Sequence, residues 1–185
     1  MNFFGRKRTE DHIKQISDKV DLSEKLEIPI RSGINTHNIY SPTSGKIIPL
    51  QQVNDEVFKN EIVGKGIAIL PDVPAIYSPV NGIVKYLPKT NHAILIQSED
   101  GIQVLVHIGL DTVNLKGQFF NPFVHKNDKV KKGELLIKFD LNAITSKGYS
   151  IVIPVVITNS NEYSRIELTQ KEIICISDCL ISLFK

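Results

Sequence analysis

The chain has no tryptophan, one methionine and two cysteines in 185 residues. Cys175 and Cys179 cannot staple a small secreted domain, and two thiols alone leave a zinc shell half empty. Both read as small, buried or half-buried hydrophobes in a late strand. Long apolar runs are missing too. None nears the roughly 18 residues of a membrane span, and the N-terminus has no apolar core of a secretory signal. The expected compartment is therefore the cytoplasm. Charge of one sign is also lacking: 22 Lys and Arg against 20 Asp and Glu leave a net +2. That balance gives no basic stripe for nucleic acid.

What is present is strand punctuation. Tyr40-Ser41-Pro42-Thr43-Ser44-Gly45-Lys46-Ile47 recurs, approximately, as Tyr77-Ser78-Pro79-Val80-Asn81-Gly82-Ile83-Val84. A third relative is Val130-Lys131-Lys132-Gly133-Glu134. Short strands bounded by Gly- and Pro-marked turns predict an all-β antiparallel sandwich with a duplicated strand-turn unit and little helix. Leu141 to Lys147 reads as a short helical turn ended by Gly148. Ile151 to Thr158 reads as a strand that Pro154 demotes to an edge or a bulge. Phe119, Phe120 and Phe123 are expected in the core. His125, among Lys126, Asn127 and Asp128, is expected in solvent. The compact domain is expected over 36–185. Residues 1–35 read as an extension, disordered or amphipathic. Within it Ile13, Ile16 and Val20 fit one helical face, and Phe3 and Phe4 beside Arg6-Lys7-Arg8 suit weak contact with an anionic membrane.

The centre of the chain is a predicted hairpin. Two apolar, β-branched runs, Thr90 to Ile96 and Val104 to Val113, flank Ser98-Glu99-Asp100-Gly101. Register decides where the histidines go. If Glu99-Asp100 is the loop, paired positions sum to 199, and His92 directly faces His107. If Asp100-Gly101 is the loop, the sum is 201 and the two are diagonal neighbours on one face. A three-residue loop gives an even sum and separates them, because one residue of slip flips the face.

A histidine pair has definite chemistry. A neutral ring nitrogen is a nucleophile that can accept a phosphoryl group. The other ring nitrogen must be held by a carbonyl or carboxylate to fix the tautomer. Donors must meet the phosphoryl oxygens. His92 is the candidate donor to a group on His107, and the Thr90 hydroxyl is the candidate to orient His92. Gly109 allows close backbone approach. Leu105 shares the His107 face, and loops are expected to bring Val57, Phe58, Ile62, Val63 and Val113, an apolar collar that suits protein docking. His92 and His107 could also ligate Zn²⁺, but only with an outside ligand.

At these residues the chain resembles the glucose-type enzyme IIA of the bacterial phosphoenolpyruvate-dependent sugar phosphotransferase system. The matching pieces are Ser41 to Gly45, Val63 to Ile69, Pro79 to Gly82, Thr90 to Ala93, and above all His107-Ile108-Gly109-Leu110-Asp111-Thr112-Val113. Phe139-Asp140-Leu141 and Ile153 to Ile157 extend the match. The resemblance implies a β-sandwich phosphocarrier needing no cofactor for transfer. By it His107 takes a phosphoryl group from the carrier HPr and hands it to an enzyme IIB of a glucose-type IIB/IIC permease. His92 stabilises that group, Thr90 sets its ring, and Asp111 belongs to the site. It also implies regulatory binding to proteins such as glycerol kinase, with zinc bridging His92 and His107 to a partner carboxylate. Lys65, Pro88 and Leu105 depart from the family pattern. Three other readings compete: a zinc peptidase, which Leu105 spoils by standing where a His-x-His strand needs its first histidine; a lipoyl-type carrier, which lacks the tip lysine; and a binding module without carrier activity.

Overall fold

The computed structural model describes residues 36–185; the readings made on residues 1–35 lie outside them. Fourteen short strands carry the described fold. They are β1 (Thr36–Tyr40), β2 (Gly45–Ile48), β3 (Lys65–Pro71), β4 (Ala75–Tyr77), β5 (Gly82–Tyr86), β6 (Ala93–Ser98) and β7 (Gln103–His107). The rest are β8 (Phe120–Pro122), β9 (Lys129–Val130), β10 (Leu135–Phe139), β11 (Ile153–Ile157), β12 (Arg165–Leu168), β13 (Ile173–Ile174) and β14 (Cys179–Phe184). Two short helices, α1 (Glu56–Lys59) and α2 (Leu141–Ser146), complete it with three 3₁₀ turns. Asp140 caps α2 by accepting from the Ala143 N–H at 2.9 Å.

One eight-stranded antiparallel sheet runs β13-β2-β3-β11-β7-β6-β5-β9, with three-stranded sheets β1-β14-β12 and β4-β10-β8 beside it. The alternation along each strand decides the layers. Ile67, Ile69, Ile94, Ile96, Val104, Val106, Ile153 and Val155 meet Ile39, Ile76, Leu136, Ile137, Leu180, Ile181 and Leu183 in one shared core. A sandwich results, as expected.

The duplication expected from the sequence is deeper than the turns. The large sheet is symmetric about its central β11–β7 pair, and each small sheet has a counterpart. Strands β4 to β10 form one copy; β1 to β3 with β11 to β14 form the other, which the first interrupts. In both copies a serine hydroxyl locks the turn, Ser41 donating to the Thr43 carbonyl at 2.6 Å and Ser78 to the Val80 carbonyl at 2.7 Å. The copies also exchange backbone bonds, Tyr40 N–H to the Pro79 carbonyl at 3.1 Å and Tyr77 N–H to the Pro42 carbonyl at 2.8 Å. Gly45 and Gly82 open matching strands, and a Cβ on either would stand 2.1 or 2.2 Å from the Leu70 or Gln97 carbonyl oxygen. The turn Lys131 to Glu134 has a partner that sequence comparison missed, Cys175 to Asp178. The first bears Gly133 at φ 80°, the second Ser177 at φ 69°. In each, the acid accepts from the first N–H, at 2.9 and 3.0 Å. Serine at a left-handed position hid the repeat.

Three expectations need correction. Strand β11 is central, not an edge: it pairs with β3 on one side and β7 on the other. Alternation explains how it tolerates Pro154. The Val155 carbonyl points at β3, so the Pro154 nitrogen points at β7, where that strand ends. Phe123 is 49% exposed rather than in the core, while Phe120 is buried. Both cysteines are exposed.

Candidate functional site

The face of the large sheet opposite the main core carries the site. Leu105 and His107 of β7 share it with Val156 of β11 and Ala93 of β6, as the pairs Leu105–Val156 and Ala93–His107 show. A second, small apolar cluster of Leu50, Val53, Phe58, Ala68, Leu110 and Val156 covers this face. Its cover comes from the long connection between β2 and β3. There Asp55 caps α1, accepting from the Val57 and Phe58 N–H groups at 2.8 and 3.2 Å. The cap fixes Phe58, whose ring edge meets His107 at 5.3 Å between centroids.

The two histidines do come together, with ring centroids 4.9 Å apart and planes at 76°. They do so by a route the hairpin arithmetic excluded. The observed register pairs Ala93 with His107 and Gln97 with Gln103, an even sum of 200. The loop is Glu99-Asp100-Gly101, with Gly101 at φ 84° as a three-residue hairpin requires. Strict alternation would then put the rings on opposite faces. His92 escapes it because it lies one residue before β6, in a bend after Asn91, whose φ is 51°. The Ile108 N–H still bonds the His92 carbonyl at 2.7 Å, tying the two histidine segments together.

Each ring is held at Nδ1. That of His107 lies 2.7 Å from the Gly109 carbonyl oxygen, so Nδ1 carries the proton and donates. Nε2 of neutral His107 is left with a free lone pair. Nδ1 of His92 lies 2.7 Å from the Thr90 hydroxyl. Burial pushes the His107 pKa below its ordinary value of 6.5, against the opposing pull of the Gly109 bond and the charges of Asp55 and Asp111. Burial, and then the charge that His107 would carry, push His92 down to about 4. Both rings are therefore neutral near pH 7.

The other expected residues fall in two groups. Val57 is 42% exposed, Ile62 70% and Val113 48%, while Val63 and Leu105 are half-buried. Phe58 is corrected: at 5% exposure it walls the His107 ring and is no docking residue. Asp111 stands in solvent at the edge of the site. Asp55 was overlooked in the sequence. Its position just before an apolar helical run is a capping signal, but only the fold brings that carboxylate to bear on His107. His125 is exposed, as expected. The pair offers a metal two nitrogens, and no cluster of three or more candidate ligands exists among the described residues. A resident tetrahedral ion does not fit such a donor set.

Known proteins resemble this chain. The chain is 44% identical over 134 residues to the β-glucoside-specific EIIBCA component of Dickeya chrysanthemi, 72% of this chain and 21% of that protein. It thus spans about a fifth of the length of that relative. It is 40% identical over 135 residues to the glucose-specific EIIA component of Oceanobacillus iheyensis, 71% of this chain and 82% of that protein. The solved glucose permease IIA from Mycoplasma capricolum superimposes with a TM-score of 0.76 at 34% identity, over 80% of this chain and 96% of that one. A family model described as phosphoenolpyruvate-dependent sugar phosphotransferase system, EIIA 1, matches residues 37–163, and the chain belongs to that family.

Proposed function

We propose that the protein is a phosphocarrier whose His107 Nε2 accepts a phosphoryl group from phospho-HPr and passes it to an enzyme IIB. The observation that carries this reading is the Gly109 carbonyl on His107 Nδ1 beside a second neutral ring 4.9 Å away. The Nε2 lone pair attacks phosphorus, and the phosphorus–nitrogen bond to the HPr imidazole breaks with its electron pair returning to that ring. No proton has to move within this site. The His107 ring, now substituted at both nitrogens, is positive. The Gly109 carbonyl and the Asp55 and Asp111 carboxylates offset that charge. In the same reading the Thr90 hydroxyl donates to His92 Nδ1, which leaves His92 Nε2–H to donate to a phosphoryl oxygen. The exposed Val57, Ile62 and Val113 receive the partner and help keep water from the phosphoramidate. The IIB partner belongs to a glucose- or β-glucoside-type permease, since relatives of those names carry this unit.

The test uses the full chain with enzyme I, HPr and labelled phosphoenolpyruvate. The expected label is acid-labile, base-stable and absent in His107→Ala. His92→Ala is expected to take label and fail to pass it on. Labelling that persists in His107→Ala would remove the carrier reading; normal onward transfer by His92→Ala would remove His92 from it.

A further inference from the structure

His107 ends β7, and the orientation of its ring depends on what the chain does next. Three consecutive peptide units after it are each tied down. The first sends its N–H, that of Ile108, to the His92 carbonyl at 2.7 Å. The second offers its carbonyl, that of Ile108, to the Thr112 hydroxyl at 2.5 Å. The third is held at both ends: its carbonyl, that of Gly109, accepts from His107 Nδ1–H at 2.7 Å, and its N–H, that of Leu110, donates to the Ser150 carbonyl at 3.0 Å. The turn needs such anchors. It holds two left-handed residues within three, Gly109 at φ 76° and Asp111 at φ 57°, and the second has a Cβ that disfavours this shape.

Thr112 touches this turn twice. It is fully buried. Its methyl group packs on the Gly109 backbone so closely that a Cβ on Gly109 would stand 2.6 Å from it. Its hydroxyl bonds the Ile108 carbonyl, one peptide before the carbonyl that holds the His107 ring. Ile108 is itself 1% exposed, so water does not readily replace a lost donor there. A buried carbonyl without a partner is costly, and the turn relaxes to relieve it. Rotation of that peptide carries the Gly109 carbonyl away from Nδ1, and the proton is then free to sit on Nε2, the atom that must be bare.

We infer that the Thr112 hydroxyl is a positioning group for His107, locking the turn whose Gly109 carbonyl keeps the ring's proton on Nδ1. Its consequence for phosphoryl transfer rests on the carrier reading; its geometry does not. Thr112 meets neither the phosphoryl group nor a partner, and acts only through the backbone.

Two substitutions separate its parts. Thr112→Val keeps the methyl contact and loses the hydroxyl, whereas Thr112→Ser keeps the hydroxyl and loses the methyl. Imidazole ¹⁵N spectra of the full chain at pH 7.5 read the His107 tautomer directly. The parent and Thr112→Ser are expected to hold the proton on Nδ1. Thr112→Val is expected to show a mixture, with exchange of that proton faster by about tenfold, the scale of one ordinary hydrogen bond. Transfer from phospho-HPr is expected to slow by a similar factor in Thr112→Val and to recover in Thr112→Ser. Unchanged His107 shifts in Thr112→Val overturn the inference. So does a Thr112→Ser spectrum displaced as far as that of Thr112→Val, which would assign the role to the methyl group. If Thr112→Val does not fold, Thr112→Ala against Thr112→Ser makes the same comparison. A parent chain that takes no label from phospho-HPr defeats the carrier reading, while the tautomer spectra still decide the role of Thr112.

Discussion

The two copies within the large sheet have one backbone plan and two fates. The pair Gly45–Pro71 in one corresponds to Gly82–Ser98 in the other, and Ile69–Ile153 corresponds to Ile96–Val104. Counting along the strands puts Lys65 at the position of His92 and Val156 at that of His107. One copy therefore bears lysine and a fully buried valine where the other bears two imidazoles. The connections differ as well. The chain between β2 and β3 is long enough to hold α1 and a 3₁₀ turn, while β5 and β6 are joined by only a short segment containing Thr90 and Asn91. The long connection does not cover its own copy alone. It delivers Phe58 and Asp55 to the histidine of the other. A symmetric scaffold thus becomes a single asymmetric site: one half supplies the rings, the other the wall and a carboxylate.

The hardest test of that division is to move the ring. The double substitution His107→Val with Val156→His is expected to take no label at all, because the transplanted imidazole lies fully buried under the apolar cover. It is also expected to lose about 1–3 kcal/mol in chemical denaturation, the scale of burying a polar group with poor partners. Labelling of the transplanted ring would show that the cover and the Gly109 turn are dispensable.

Removing the wall should come next in size. Phe58→Ala is expected to cost about 3 kcal/mol of stability, the low end for a buried aromatic, because the cluster is small and close to solvent. NMR titration of the same variant should show the His107 pKa rising toward its ordinary value, since burial is the main force holding it down. A pKa that stays put would mean that Phe58 does not shield the ring.

The charge coupling between the rings is weaker. In His107→Gln the His92 pKa is expected to rise from about 4 but to stay below 6.5, because burial is the larger cause and remains. The sign for stability follows. Both folded histidines bind protons less readily than unfolded ones, so stability is full above about pH 6.5 and falls toward pH 4 as the unfolded chain takes up protons. Equilibrium denaturation between those pH values should show a shallower loss in His107→Gln than in the parent.

The smallest effect concerns the concealed repeat. Ser177→Gly gives one copy the residue that its counterpart has at Gly133. It is expected to raise stability by about 0.5 kcal/mol, the relief of left-handed strain less the added freedom of the unfolded chain. A loss of stability would mean that the Ser177 side chain has a structural role that Gly133 does not need.

Much of this was legible in residues. The Ser-Pro turns and the glycines at strand starts are local devices, so their repetition announced a duplicated sandwich. Gly148 ended α2 for the same reason. The run from His107 to Val113 carried the family. The failures have both local and distant causes. Hairpin arithmetic assumed that His92 lay inside a strand, and a bend one residue long set the assumption aside. Pro154 looked disqualifying for a central strand until its nitrogen proved to face the end of β7. Phe58 looked like a docking residue because nothing local says which way a capped helix will turn.

By itself, then, the sequence determined the strand-turn grammar, the twofold repetition and the two histidines, because each is written in short-range stereochemistry. Only the tertiary structure decided that these rings meet across a bend. It also decided that a carboxylate and an aromatic ring from the other copy come to bear on His107. Those outcomes depend on long-range packing, where burial sets proton affinity and neighbours far apart in the chain become the environment.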